Sequence, residues 1–145
     1  MNTLQLNSLL TSYKCFIGTF PRDLLPKKKI KKRPCAIIVN TDELFNPGQH
    51  WVAIYLSGNS TAEYFDSFGM MPIHEEILIF LKRNKIKKVL YNQNQLQSIT
   101  TNTCGAYCVL FVKFKCLNYT FCDLINCFSN NTYNNDIKIF YSLFI

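Results

Sequence analysis

A chain of 145 residues, 48% hydrophobic and 14% aromatic, can build one packed core and is too apolar for a disordered polymer. No apolar run approaches the roughly 18 residues of a membrane-spanning helix, and the opening MNTLQLNSLLTSYK lacks the basic start and long apolar stretch of a secretory leader. The net charge is +7, and eleven of the sixteen basic residues fall in two short runs, KKKIKKR (27–33) and KRNKIKK (82–88). Such runs are either solvated surface or a footprint for nucleic acid or an acidic partner.

Residues 3–13 have the spacing of a short amphipathic helix, with Leu4, Leu6, Leu9 and Leu10 as apolar members. CFIGTF (15–20) is an extended segment ending at Pro21, and residues 21–34 form a loop bounded by prolines. CAIIVN (35–40) is a continuous apolar run rich in β-branched residues, as in a central strand. Residues 41–49 are rich in turn formers. Residues 50–56 and 61–67 read as strands joined by a hairpin turn at Ser57, Gly58 and Asn59. Pro72 suits the first turn of a helix over 72–84, and KVLYN (88–92) is a further strand. Residues 104–119 form a helix apolar nearly all round until its last turns, hence buried. Thr120 and Asp123 fit an N-cap pair for a short helix, and Asn135 and Asp136 can start the last one, through Phe144. No repeat, linker or composition break divides residues 1–145, which read as one domain. The class is α+β: a mixed sheet flanked by helices, one of them buried against it.

The seven cysteines are Cys15, Cys35, Cys104, Cys108, Cys116, Cys122 and Cys127. Without a secretory leader they are expected as reduced thiols, most of them small buried apolar groups. None falls in a C-x2-C pair and the only histidines are His50 and His74, so no metal site is expected. Cys108 lies one turn after Cys104 and reads as core, and His74 as a surface residue of its helix.

With a three-residue hairpin loop, residues whose numbers sum to 116 face each other, which sets His50 opposite Asp66. A carboxylate there would fix the imidazole tautomer and stabilise its cation; a plain His–Asp surface pair fits the same register. The stretch QSITTNTCGAYCVLF (97–111) places a thiol where the buried helix begins. With Thr103 as cap, Cys104 falls in the first turn, where free N–H groups and the helix dipole favour a thiolate. Gly105 presents no side chain to a carbonyl approaching the sulfur. Gln97 carries an amide that can donate to the oxyanion of a tetrahedral intermediate. Thiolate, imidazole, carboxylate and amide donor together suffice for acyl transfer.

The sequence resembles the adenovirus-type cysteine proteases (adenain) and, more distantly, the ubiquitin-like-protein proteases of the same clan. FIGTFPRDLLP, CAIIVNTDE, GQHWVAIYL, EYFDSFG and QSITTNTCGAYCVLF resemble ordered blocks of that family over nearly the whole chain. The combination of His-Trp, Phe-Asp-x-Phe-Gly and Gln-x6-Cys-Gly carries the likeness; each piece alone is weak. The resemblance implies His50 as general base, Asp66 as its orienting acid, Cys104 as nucleophile and Gln97 as oxyanion donor. It also implies Trp51 and Gly105 at the wall of the substrate cleft. The fold it implies has a buried central helix with the catalytic cysteine at its N-terminus.

By the same resemblance the chain is a cysteine endopeptidase acting on viral or transposon capsid or core precursors, next to small residues such as Gly. It would act as a monomer, inside the host cell in nucleus or cytoplasm or in the virion, with no membrane partner and no cofactor for the chemistry. DNA is the implied activator, bound without sequence preference through Lys27, Lys28, Lys29, Lys31, Lys32 and Arg33. The family's disulfide-linked activating peptide has no attachment point, since no cysteine lies between Cys35 and Cys104. The match leaves most of the family's C-terminal helical region without a counterpart. A deconjugating isopeptidase, an acyltransferase of the same clan and a basic nucleic-acid module on an inert protease fold are the competing readings.

Overall fold

The computed structural model describes residues 1–44 and 50–143. Helix α1 (Thr3–Leu10) leads into β1 (Phe16–Pro21) and a 3₁₀ turn (Arg22–Leu24). There follow β2 (Cys35–Asn40), β3 (Trp51–Leu56), β4 (Thr61–Phe65), α2 (Glu75–Arg83) and β5 (Lys88–Tyr91). Three helices complete the chain: α3 (Cys104–Cys116), α4 (Phe121–Ile125) and α5 (Thr132–Ser142). The strands form one mixed sheet in the order β1-β2-β3-β4-β5. The outer pairs β1–β2 and β4–β5 are parallel, and the inner pairs are antiparallel. The α+β architecture read from the sequence is the one observed.

Alternation along the central strands divides the interior in two. Cys35, Ile37 and Val39 of β2, with Val52, Ile54 and Leu56 of β3, pack toward Ile77, Phe80 and Leu81 of α2. Ala36 and Ile38, with Trp51 and Ala53, face α1, α3, α4 and α5. The two alanines are what let α3 lie close to the sheet. Phe111 of α3 is fully buried and stacks on Phe65 of β4 at 5.1 Å; truncating such a ring costs about 3–5 kcal/mol. Near the other end of α3, Lys115 reaches Glu63 of β4 at 2.9 Å, so the helix is tied to the strand that leads into Asp66.

Several expectations change. The segment from residue 15 is a paired edge strand, and Pro21 is tolerated because it closes that edge. Helix α1 stops at Leu10 rather than residue 13, and Leu4 is exposed. The β3–β4 register is two residues off the expected one: Ala53 faces Phe65 and Leu56 faces Ala62. The cause is a tip at 58–60, closed by Ser57 and Thr61. The Ser57 hydroxyl donates to the Thr61 carbonyl at 2.6 Å, and the Thr61 N–H donates to the Asn59 side chain at 2.8 Å. A slip of two keeps every side chain on its expected face.

The Thr120–Asp123 capping box forms as read, but α5 starts earlier than expected. Asn131 caps it, and Asn135 and Asp136 are buried within the helix instead of starting it. Cys15 and Cys116 are joined in a disulfide across 101 residues, rather than being free thiols. Cys122 and Cys127 are exposed, while Cys35, Cys104 and Cys108 are buried. Residues 45–49 of the turn-rich connection, and the expected helix end at Phe144, lie outside the described residues.

Candidate active site

The strands deliver an imidazole and a carboxylate to one corner of the sheet. His50 immediately precedes β3, and its carbonyl accepts the N–H of Thr41 at 2.9 Å. Asp66 immediately follows β4 and is buried. His50 Nε2 and Asp66 Oδ1 are 2.7 Å apart. The Phe68 ring lies against the imidazole, tilted by 30° with centroids 4.8 Å apart. The paired ladder ends at Ala53 and Phe65, so Asp66 meets His50 just beyond it and not as a directly opposed strand pair.

Asp66 is held on all sides. Its N–H donates to Asn92 Oδ1 at 3.0 Å, and Asn92 Nδ2 donates back to its carbonyl. The Phe68 N–H donates to Asp66 Oδ1 at 2.8 Å, and the Gly69 N–H to the Asp66 carbonyl at 2.8 Å. Gly69 has φ +75°, and a side chain there would meet the Asn94 carbonyl at 2.8 Å, so the turn that holds Asp66 requires glycine.

Cys104 opens α3 and is 8% exposed. Thr103 stands at the cap position but makes no capping hydrogen bond; its hydroxyl donates instead to Asp136 at 2.9 Å. The first turn is thereby left without a side-chain cap, while the Ala106 N–H donates to the Thr103 carbonyl at 2.9 Å. Burial pushes the Cys104 thiol up. The hydrogen bond and charge of His50, with the N–H groups of Trp51 and Gly105, outweigh it and hold the thiol below its ordinary value. Burial also works against a charged His50, but Asp66 and Cys104 push the imidazole up to about 9. Together these favour the charged forms of both groups, a thiolate beside an imidazolium, with the Asp66 carboxylate behind the imidazole.

Trp51 packs in the core beside Cys104, and its indole N–H donates to the Met1 carbonyl at 3.0 Å. Gly105 lies under both: an added Cβ would come within 3.2 Å of Met1 Cβ and 3.4 Å of the Trp51 ring. Gln97 is buried. Its Oε1 accepts the Ser67 hydroxyl at 2.7 Å, and its Nε2 donates to the Thr101 carbonyl at 2.7 Å. The same Nε2 lies 3.5 Å from the Thr101 hydroxyl oxygen, so Thr101 is what orients the amide. A cavity of about 350 Å³ opens beside His50 and Asp66, walled in part by Met70, Met71 and Ile73. His74, expected at the surface, is half-buried at the edge of this cavity, 3.4 Å from Arg22.

The two basic runs meet at the opposite end of β3, about 20 Å of strand away. Arg33 Nη2 donates to the Asn84 carbonyl at 2.6 Å, and the Ile30 N–H to Asn84 Oδ1 at 2.9 Å. Lys32 donates to the Lys14 carbonyl at 2.6 Å. Lys29, Lys31, Arg33 and Lys85 line a cleft of about 610 Å³ at the hairpin tip, with no acidic residue among its described lining. Lys27 lies outside it, near Asp23 and Glu76.

Sequence reading missed three supports. Asn92 holds the backbone of Asp66, Ser67 holds the Gln97 amide, and Asp136 holds the loop between Gln97 and Cys104. Ser67 sits within the Phe-Asp-x-Phe-Gly block, which was the one local hint; Asn92 and Asp136 carry no signal of their own.

No protein-family profile matches the chain. It is 27% identical over 114 residues to an African swine fever virus protein named cysteine protease S273R, covering 68% of this chain and 41% of the viral protein. Over the same coverage it is 26% identical to the protein of another isolate, named SUMO-1 cysteine protease S273R. The chain therefore spans less than half the length of these relatives. The crystal structure of the African swine fever virus pS273R protease superposes with a TM-score of 0.62 at 20% identity, over 94% of this chain and 61% of that one. The central domain of Lpg1148 from Legionella pneumophila gives 0.58 at 16% identity, over 99% and 93%. The SUMO protease Ulp1 gives 0.51 at 13% identity, over 99% and 78%. The fold is the one shared by these structures, and the resemblance to this protease clan stands on sequence and fold alike.

Proposed function

We propose that this chain is a cysteine endopeptidase that cuts capsid or core precursor proteins of a DNA virus or virus-like transposon beside small residues such as Gly. The observation that carries the reading is Cys104 at the uncapped start of α3, paired with His50, which is itself 2.7 Å from Asp66. The names of the viral relatives support the reaction class.

In this reading the Cys104 thiolate attacks the scissile carbonyl. The oxyanion forms against the Cys104 N–H and the side-chain amide of Gln97. His50 gives its proton to the departing amine, and a water that it then activates releases the acyl group from the sulfur. Asp66 holds the imidazole by Nε2, which leaves Nδ1 for the sulfur. Trp51 and Gly105 wall the cleft, and their closeness to Met1 favours small residues in the substrate. The chemistry needs no cofactor.

The basic cleft is the proposed contact for DNA, as activator rather than reactant. Lys29, Lys31 and Arg33 line it, with Lys27, Lys28 and Lys32 in the same run. We place the enzyme inside the host cell or the virion, as a monomer; no helix among the described residues is long and apolar enough to cross a membrane. A deconjugating isopeptidase is the second reading, favoured by the SUMO-1 name of one relative.

Incubation with a peptide library, with C-terminally activated ubiquitin-like modifiers and with acetyl-CoA separates these chemistries. Endopeptidase activity predicts internal cleavage after small residues and no stable modifier adduct. Acyl transfer to the protein without peptide cleavage would overturn the reading.

A further inference from the structure

Asp136 is buried at 5% exposure in the second turn of α5, and four donors converge on it. Oδ2 accepts the Ser98 N–H at 3.0 Å and the Thr101 hydroxyl at 2.9 Å. Oδ1 accepts the Thr103 hydroxyl at 2.9 Å, and the Tyr107 hydroxyl lies 3.0 Å from it. No cation among the described residues pairs with this carboxylate. Its partners are hydrogen-bond donors, and every donor comes from the stretch 98–107.

That stretch is otherwise shaped by its own turn: the Thr101 N–H donates to the Ser98 carbonyl at 3.3 Å, and the Ser98 and Thr100 hydroxyls lie 2.9 Å apart. Ile99 is 80% exposed, and Thr100 and Asn102 are also exposed, so apolar packing does not fix the loop. The Thr101 carbonyl, whose residue Asp136 holds by the hydroxyl, is the acceptor that orients the Gln97 amide at 2.7 Å. Thr103, held by the other carboxylate oxygen, immediately precedes Cys104. One carboxylate thus ties down both sides of the gap between the two proposed oxyanion donors, the Gln97 amide and the Cys104 N–H. It also draws the Thr103 hydroxyl away from the cap position, which leaves the first turn of α3 without a side-chain cap.

We propose that Asp136 is a positioning residue of the oxyanion site, setting the Gln97 amide relative to the Cys104 N–H. The inference rests on the endopeptidase reading above. Asp136 touches no substrate; it acts through Thr101 and Thr103.

The test is a double-mutant cycle on the full chain with a cleavable peptide. Gln97→Ala alone is expected to lower kcat by about 10²–10³, the usual loss of one oxyanion donor. Asp136→Asn keeps the shape but turns one acceptor into an NH₂ facing two donors. It should lower kcat about tenfold or more with KM nearly unchanged. In the Gln97→Ala background the same change should cost clearly less, about threefold or below, because one of the two donors it positions is gone. Thr101→Val removes one of the four donors and leaves the carbonyl. It should lower kcat a few-fold, and it carries the test if Asp136→Asn does not fold.

Equal costs of Asp136→Asn with and without Gln97, or a loss confined to KM, would overturn the positioning role while leaving the protease reading intact. Full kcat in Thr101→Val, where Asp136→Asn fails to fold, would overturn it too. A wild-type chain that cleaves no peptide removes the endopeptidase reading, and this inference with it.

Discussion

Two cysteines on one helix, four residues apart, have opposite electrostatic fates. Cys104 sits at the N-terminal rim of α3, where His50 and the N–H groups of Trp51 and Gly105 outweigh its burial and lower its pKa. Cys108, one turn deeper, is fully buried, and burial together with the charges of Cys104 and Asp66 pushes its thiol far up. Sequence spacing puts both on the same face. What separates them is the presence of donors and a cation within reach of the sulfur, which only the rim supplies.

The largest effects come from breaking that contrast. Cys104→Ala should abolish peptide cleavage while the chain stays folded, because only the sulfur is lost. Cys108→Ala should retain kcat and lose about 1 kcal/mol of stability to the small cavity it leaves. In the wild type, iodoacetamide at neutral pH should alkylate Cys104 much faster than the fully buried Cys108, since the thiolate is the reacting form. Mass spectrometry of the alkylated peptides reads both rates. Comparable labelling at Cys108, or cleavage by Cys104→Ala, would remove the proposed nucleophile.

Much of this rim was legible. The continuous run at 35–40 and the apolar helix starting at Cys104 have the observed starts, because a two-sided strand and a buried helix leave unmistakable patterns. His50 and Asp66 come together as read, although through a register two residues off. The face of a strand follows from parity, while the register was set by hydrogen bonds of Ser57, Asn59 and Thr61 that no spacing rule contains. The role of Asp136 was illegible because its donors lie 29 to 38 residues earlier. Locally, an Asn-Asp pair resembles a helix start, and only tertiary contact shows it inside one. The Cys15–Cys116 bridge spans 101 residues and is likewise invisible to spacing. The first strand was missed as a paired element because its Gly and Pro weaken the local signal, while its partner β2 lies across the intervening loop.

A smaller effect sharpens the comparison through its pH dependence. The imidazolium persists while pH stays below the raised His50 value of about 9, and the thiolate persists above the lowered Cys104 value. The paired form therefore fills the window between them, with an alkaline limit near 9. Asp66→Asn keeps a hydrogen-bonding side chain but removes the charge that favours the imidazolium, so the His50 pKa falls and the alkaline limb of kcat/KM moves to lower pH. At pH 8 the loss should be about tenfold, less than for His50→Ala. An alkaline limb that stays near 9 in Asp66→Asn would mean that the carboxylate does not set it.

The smallest effect on cleavage belongs to the far end of β3, and it is the informative one. At the rim, the opposite charges of His50 and Asp66 are 2.7 Å apart. At the hairpin tip Lys29, Lys31, Arg33 and Lys85 share a cleft with no acidic residue in its described lining. Arg33 is spent on the Asn84 carbonyl and helps hold the loop, so it is left in place in the test variant. Replacing Lys27, Lys28, Lys29, Lys31 and Lys32 with Ala should leave cleavage in the absence of DNA unchanged, because none of the five lines the cavity beside His50 and Asp66. Binding of a labelled duplex, followed by fluorescence anisotropy, should be independent of sequence and fall steeply between about 50 and 200 mM salt. The variant should flatten that slope, since each lost phosphate contact releases one fewer counterion. If the wild type binds no duplex at low salt, the cleft is solvated charge and DNA has no part in activation. If the variant loses basal cleavage, the two ends of β3 are coupled and the separation argued here is wrong.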